Sequence, residues 1–326
     1  MYILGVETSC DETSCAILKN FNVLSSITIS SLKEHKKYGG IVPEIASRYH
    51  IKNIDKVLDI AIKEARIRLC DIGLIAVTYT PGLIGALAVG VSFAKALAFS
   101  LNRPFIGVNH LYAHLFAPFL NLKSRIDFPF LGVVVSGGHT KIYYVKDFDC
   151  IETVGQTLDD ACGEVFDKVA REFGIGYPGG PIIDRLFNKN YKSSFQFKCG
   201  KKNFNLSFSG LKTAVIYKKL ELEKKHLLDK KTKIKLISSF QETVVCTLVN
   251  TIKEAASRYG VLKIVCGGGV FANSYLRKSL RIKNKMVLLS PIEYATDNAA
   301  TVAGLGFYLY NNKGIRSYYN LEPKAE

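Results

Sequence analysis

Apolar and β-branched residues gather in three short runs near the start of the chain, residues 3–6, 15–18 and 23–29, with polar turns between them. Runs of that length, broken by turns, predict an antiparallel hairpin extended by a third strand. The period then changes. Ile54, Val57, Leu58, Ala61, Ile62 and Ala65 recur at helical spacing, so residues 46–68 read as a helix with one apolar face. Residues 72–79 read as a buried strand, Pro81-Gly82 as the turn that ends it, the segment from Leu83 as an apolar helix, and 104–108 as another strand.

The same order recurs downstream. Residues 130–135, 140–145 and 150–154 predict three strands, 160–173 a helix, and 262–266 a buried strand that runs into Gly267-Gly268-Gly269 and a helix from about Phe271. Gly5-Val6 aligns with Gly132-Val133, Ser9 with Ser136 and Thr13 with Thr140, all at one offset. A duplicated unit of this kind predicts an α/β protein of two similar lobes facing a central cleft. The length agrees: 326 residues exceed the roughly 250–300 at which single cores stop growing.

Composition narrows the class. A chain that is 48% hydrophobic and 22% charged is globular and carries no long disorder as its main theme. Its first residues lack a basic region and meet Glu7 early, so they read as a strand and not as a signal peptide. The apolar stretch 83–101 contains Lys95 and several small residues, which favours a core helix over a membrane span. Eight cysteines without a C-x-x-C pair argue for reduced thiols and a cytoplasmic protein. The net charge of +16 favours a polyanionic partner, nucleic acid first among them. Charge is densest over 218–235; a solvated helical face is the plain alternative there.

Candidate chemistry centres on His110-Leu111-Tyr112-Ala113-His114. Two imidazoles at i and i+4 on one helical face can reach one ion. A zinc protease needs a glutamate after the first histidine; Leu111 stands there. A carboxylate from elsewhere would complete a two-histidine, one-carboxylate site with open positions, and Asp297 in Thr296-Asp297-Asn298 is the best candidate. Ser136-Gly137-Gly138-His139-Thr140, in the second hairpin turn, lets backbone N–H groups approach a phosphate or carboxylate, or is only a tight turn. Tyr177-Pro178-Gly179-Gly180-Pro181 is a rigid turn, and Gly267-Gly268-Gly269 exposes a helix start where Asn273 can face a nucleotide. Asp11-Glu12, Asp159-Asp160, Glu164 and Asp167 offer carboxylates; Asp159 and Asp160 also suit a helix cap, and Glu164 a surface pair with Lys168.

Taken in order with Glu7-Thr8-Ser9-Cys10-Asp11-Glu12-Thr13, Gly39-Gly40-Ile41-Val42-Pro43-Glu44, Ser207-Phe208-Ser209-Gly210-Leu211-Lys212 and residues 267–277, these motifs span nearly the whole chain. The sequence closely resembles the TsaD family, the tRNA N6-adenosine threonylcarbamoyltransferases. The resemblance implies a duplicated actin-like (ribonuclease H-like) fold, with residues 1–110 and 297–326 in one lobe and 111–296 in the other. It implies transfer of a threonylcarbamoyl group from threonylcarbamoyl-AMP to N6 of adenosine 37 in tRNAs that read codons beginning with A. It assigns His110, His114 and Asp297 to one divalent metal, Fe(2+) first, with Zn(2+) or Mg(2+) as alternatives. It assigns Val134, Val135, Ser136, Gly137, Gly138, Asp167, Gly180 and Asn273 to the adenylate, with Asp184 as a further candidate. Its implied partners are a TsaB-like paralogue, a TsaE-like ATPase and tRNA, with no membrane. Asp11 is the candidate for proton handling, and Lys198, Lys201, Lys202 and 218–235 for phosphate contacts. The family usually has Gly-Pro-Gly where this chain reads Thr80-Pro81-Gly82. The rival readings are a small-molecule kinase or ATPase on the same fold and a paralogous scaffold without chemistry.

Overall fold

The computed structural model describes residues 1–121 and 126–326. They form two compact units, Met1–Ile126 with Pro291–Glu326, and Asp127–Ser290.

The first unit is built on a five-stranded sheet in the order β3-β2-β1-β4-β5. Its strands are β1 (Tyr2–Glu7), β2 (Glu12–Lys19), β3 (Asn22–Ser30), β4 (Ile72–Thr80) and β5 (Phe105–Asn109). The first three form antiparallel pairs, whereas β4 and β5 run parallel to β1. Between β3 and β4 lie the short α1 (Leu32–His35) and the long α2 (Pro43–Ala65), and α3 (Ile84–Leu101) crosses from β4 to β5. Strand side chains alternate between faces, and here the alternation separates two cores. Leu4, Val6, Cys15 and Ile17 pack with Ile54, Val57 and Leu58 of α2 and with Val91, Ala94 and Ala98 of α3. Gly5, between Leu4 and Val6, meets α10 (Ala299–Lys313), where a Cβ would collide with the Ala299 carbonyl oxygen. That close approach fixes the start of α10 against the sheet. By length and composition α3 could cross a membrane; here it packs on β4 and α2 through buried Ala86, Gly90, Ala94 and Ala98. The helix α4 (His110–Phe116) packs on α10, which places it in the first unit, so the boundary falls after residue 126 and not after 110.

The second unit repeats the arrangement, with sheet order β12-β11-β6-β7-β8. The strands are β6 (Phe130–Val135), β7 (Thr140–Asp147) and β8 (Cys150–Gln156), then β11 (Lys263–Gly267) and β12 (Met286–Leu289), the last two parallel to β6. A small ribbon, β9 (Gly200–Lys202) with β10 (Asn205–Ser207), stands apart. Gly132 faces Tyr143 as Gly5 faces Ala16, so the offset read in the sequence holds in the strand register. The helices are α5 (Cys162–Glu172), α6 (Gly179–Leu186), α7 (Ser209–Lys224), α8 (Lys230–Arg258) and α9 (Ser274–Ser279). Leu131, Val133 and Val135 pack there against Phe166, Phe240 and Phe271 in one core. The helix expected from about Phe271 is split: a 3-10 turn ends at Ala272, and Asn273, at φ −59° and ψ 121°, breaks it before α9 begins. At Gly268 φ is +103°, and a Cβ would come within 2.5 Å of the Val135 carbonyl oxygen, so only glycine fits this strand-to-helix junction.

Candidate functional site

The histidine pair owes its position to a cap. The chain leaves β5 at Asn109, whose Oδ1 accepts from the backbone N–H of Leu111 at 2.9 Å and of Tyr112 at 3.2 Å, and α4 starts at His110. His110 and His114 then stand one turn apart with ring centroids 4.6 Å from each other. Asp297 arrives from the other end of the unit's chain. It precedes Asn298, which caps α10 by accepting from the Thr301 N–H at 3.0 Å and whose Nδ2 donates to the Thr296 carbonyl at 2.7 Å. Asp297 Oδ1 lies 3.2 Å from His114 Nε2 and 3.6 Å from His110 Nε2. One donor atom from each of the three side chains lies within 4.8 Å of the others.

These residues fit a metal ion. His110 Nδ1 lies 3.0 Å from Glu7 Oε2, a carboxylate that also accepts from Thr78 Oγ1 at 2.6 Å and from the Ser9 N–H. An ionised carboxylate only accepts, so Nδ1 carries a proton, and Nε2, which faces Asp297, is the ring atom left for an ion. His114 Nε2 is buried and has no hydrogen-bond partner among the described residues despite its nearness to Asp297. A buried polar atom left without a partner is rare and calls for one. The electrostatics agree. Burial would lower the His110 pKa, but the Asp297 and Glu7 carboxylates outweigh it and push the value up to about 9. Burial, helped by Asp297 and Asp11, pushes Glu12 well above the usual carboxylate range, and burial with the same carboxylates raises the Cys10 thiol. The pocket therefore favours positive charge, and two imidazoles with one carboxylate suit a first-row transition ion with open positions.

Asp11 sits in the turn between β1 and β2, 8% exposed. Its carbonyl accepts from the Ser31 N–H and Oγ, both at 2.9 Å, and its Oδ2 from Ser30 Oγ at 3.1 Å. His50 steadies the same turn: its Nε2 lies 3.0 Å from the Cys10 carbonyl and its Nδ1 2.8 Å from Thr13 Oγ1. Burial lowers the His50 pKa.

The remaining candidates belong to the second unit and form two clusters. Val134 and Val135 are buried in β6, so only their main chain is available to a ligand. Ser136, Gly137, Gly138 and His139 make the following turn, and a Cβ added at Gly137 or Gly138 meets nothing within 4 Å. Packing does not demand glycine there; open space lies above the turn. Asp167 accepts from the Gly179 N–H at 2.6 Å, and burial raises its pKa although the Gly179 and Gly180 amides oppose the rise. It thereby ties α5 to the start of α6. Asp184 of α6 accepts from the Ser274 N–H at 2.9 Å and from Gln241 Nε2 at 3.1 Å, and Gln241 Oε1 accepts from Asn273 Nδ2 at 3.1 Å. Asp159 caps the start of α7, accepting from the Phe208 and Ser209 amides, and not α5; Glu164 pairs with Lys168 at 2.7 Å.

Sequence reasoning passed over Glu7 as a partner of the histidines, and over Gln241. A carboxylate closing an apolar first strand, and a lone amide on the apolar face of a long helix, were the signals available.

Comparison with known proteins follows the motifs. A family profile described as TsaD: tRNA N6-adenosine threonylcarbamoyltransferase matches residues 22–304. A tRNA N6-adenosine threonylcarbamoyltransferase of Thermosipho africanus is 48% identical, over 99% of this chain and 98% of its own length. One of Thermodesulfovibrio yellowstonii is also 48% identical, over 94% of each. Among solved structures, HypF of T. kodakarensis is similar with a TM-score of 0.62 at 14% identity, over 95% of this chain and 48% of that one. Component A of the Acidaminococcus fermentans (R)-2-hydroxyglutaryl-CoA dehydratase is similar with a TM-score of 0.55 at 14% identity, over 97% and 100%. At such identities the likeness concerns the fold alone, which is the actin-like one.

Proposed function

We infer the chemistry of this site from one premise: the chain belongs to the TsaD family, the tRNA N6-adenosine threonylcarbamoyltransferases. It is a transferase acting on tRNA, and it forms threonylcarbamoyladenosine at adenosine 37. The observation that carries the mechanism is the buried cluster of His110, His114 and Asp297 with Glu7 behind it.

The exocyclic amine of adenine is a weak nucleophile, so the carbonyl it attacks must be activated, and a mixed anhydride with AMP provides the leaving group. Threonylcarbamoyl-AMP is therefore the donor. The N6–C bond forms, the C–O bond to phosphate breaks, and AMP departs. His110, His114 and Asp297 hold one divalent ion, Fe(2+) by family resemblance with Zn(2+) or Mg(2+) as alternatives. When bound, such an ion supplies Lewis-acid charge to an acyl or phosphoryl oxygen. Glu7 keeps the His110 ring turned for that task. In the second unit, the turn of Ser136, Gly137 and Gly138 offers backbone donors to the adenylate, with Gly180, Asp184 and Asn273 as further contacts and Asp167 setting the α6 start. Asp11, held by Ser30 and Ser31, takes the proton released from N6.

A separate enzyme supplies the adenylate, and a TsaB-like paralogue and a TsaE-like ATPase complete the working assembly. The excess of basic residues serves tRNA phosphates. Eight cysteines without a C-x-x-C pair suit reduced thiols, and the protein works in the cytoplasm.

The assay is direct. The purified chain, with its partners, synthetic threonylcarbamoyl-AMP and unmodified tRNA, yields threonylcarbamoyladenosine on nucleoside analysis, and Asp11→Asn slows it. Transfer of a γ-phosphoryl group with no modified adenosine would overturn the reading.

A further inference from the structure

We propose that Gln241 is a positioning residue for the adenylate, orienting Asn273 so that its carboxamide presents a hydrogen, and not a lone pair, to the ligand. The proposal rests on the reading above that Asn273 and Asp184 belong to the adenylate site.

Gln241 is 0% exposed on α8, among the apolar Phe240, Val244 and Val245. Nothing in that packing needs an amide, and a buried amide without partners is costly. Both of its ends are engaged. Nε2 donates to Asp184 Oδ1 at 3.1 Å, and Oε1 accepts from Asn273 Nδ2 at 3.1 Å. The sense of this chain is fixed at one end. Asp184 also accepts from the Ser274 N–H at 2.9 Å and from Ser274 Oγ at 3.2 Å, so its carboxylate is an acceptor for three donors. Gln241 must therefore turn its N–H toward Asp184 and its carbonyl toward Asn273.

The other end confirms the polarity. Asn273 Oδ1 caps α9 by accepting from the Leu276 N–H at 2.9 Å. A flipped Asn273 would set two donors against each other at Leu276 and two acceptors at Gln241. Its amide is locked from both sides, and among the described residues only one of the two Nδ2 hydrogens meets an acceptor. The other is available, and the atom that meets it is an acceptor of the ligand: a ribose or phosphate oxygen, or a ring nitrogen.

The test uses the full chain and AMP as the probe, measured by titration calorimetry, with donor KM and kcat alongside. Gln241→Glu keeps the shape but faces the Asp184 carboxylate with an acceptor. Repulsion between the two carboxylates should draw the side chain at position 241 away from Asn273, free the Asn273 carboxamide to turn and weaken AMP binding about tenfold, the worth of one hydrogen bond. The donor KM should rise in step while kcat stays within about twofold. Adding Asp184→Asn restores a donor facing position 241, so the double variant should bind AMP more tightly than either single variant. Wild-type affinity in Gln241→Glu, or a double variant no better than the weaker single one, overturns the proposal while leaving the adenylate site intact. Failure of wild-type protein to bind AMP overturns both together.

Discussion

At the scale of single residues, the histidine pair was legible because an i, i+4 spacing after a strand is a local signal. Asp297 was legible only as a candidate, since nothing local links it to His110; the cap at Asn298 and the α10 contact at Gly5 bring it there. Glu7 was not legible in its role. Its task arises from pairing across the sheet, where β4 sets Thr78 against it and His110 follows β5. A ligand's hydrogen-bonded partner commonly tunes metal affinity by roughly 10- to 100-fold. Glu7→Gln should therefore lower affinity by that order, read by competition with a chromophoric chelator. Unchanged affinity would mean that Glu7 does not orient the ring.

At the scale of elements, strands and long helices followed from their periods, while short pieces did not. The ribbon of exposed β9 and part-buried β10 has one apolar residue, Leu206, too few to register, and α9 is only six residues long after Asn273 breaks the preceding turn. Elements are also tied by charge. Asp160 bonds Lys168 of α5 at 2.7 Å and Lys212 of α7 at 2.6 Å. Burial would raise its pKa, but hydrogen bonds from Lys168, Lys212 and Ser209 hold it down at about 2. The folded value lies below an unfolded one near 4. The stabilisation is therefore complete at neutral pH, declines as pH falls below about 4, and is gone below about 2. The gap in urea midpoint between wild type and Asp160→Asn should be widest near neutrality and close across that window. A gap independent of pH would contradict the assignment.

At the scale of the whole molecule, the duplication was readable from one constant offset, and the matched registers of β1 with β2 and β6 with β7 explain why it persists. The unit boundary was not readable. It depends on α4 packing against α10, a tertiary contact with no trace in local pattern. The net charge of +16 belongs to this scale too. Each phosphate neutralised contributes a slope of roughly −0.7 to −0.9 in log affinity against log salt. For tRNA the slope should be about −3 or steeper in filter binding, and a flat dependence would remove the electrostatic account.

The central claim is that His110, His114 and Asp297 hold a metal on which threonylcarbamoyl transfer depends. Threonylcarbamoyladenosine formation should be measured for chelator-stripped protein before and after reloading with Fe(2+), beside His114→Ala treated identically. Stripping should abolish modification, reloading should restore it in the wild type, and His114→Ala should stay inactive and retain less than about a tenth of the metal. Full activity in the stripped wild type, or in His114→Ala, would contradict the account.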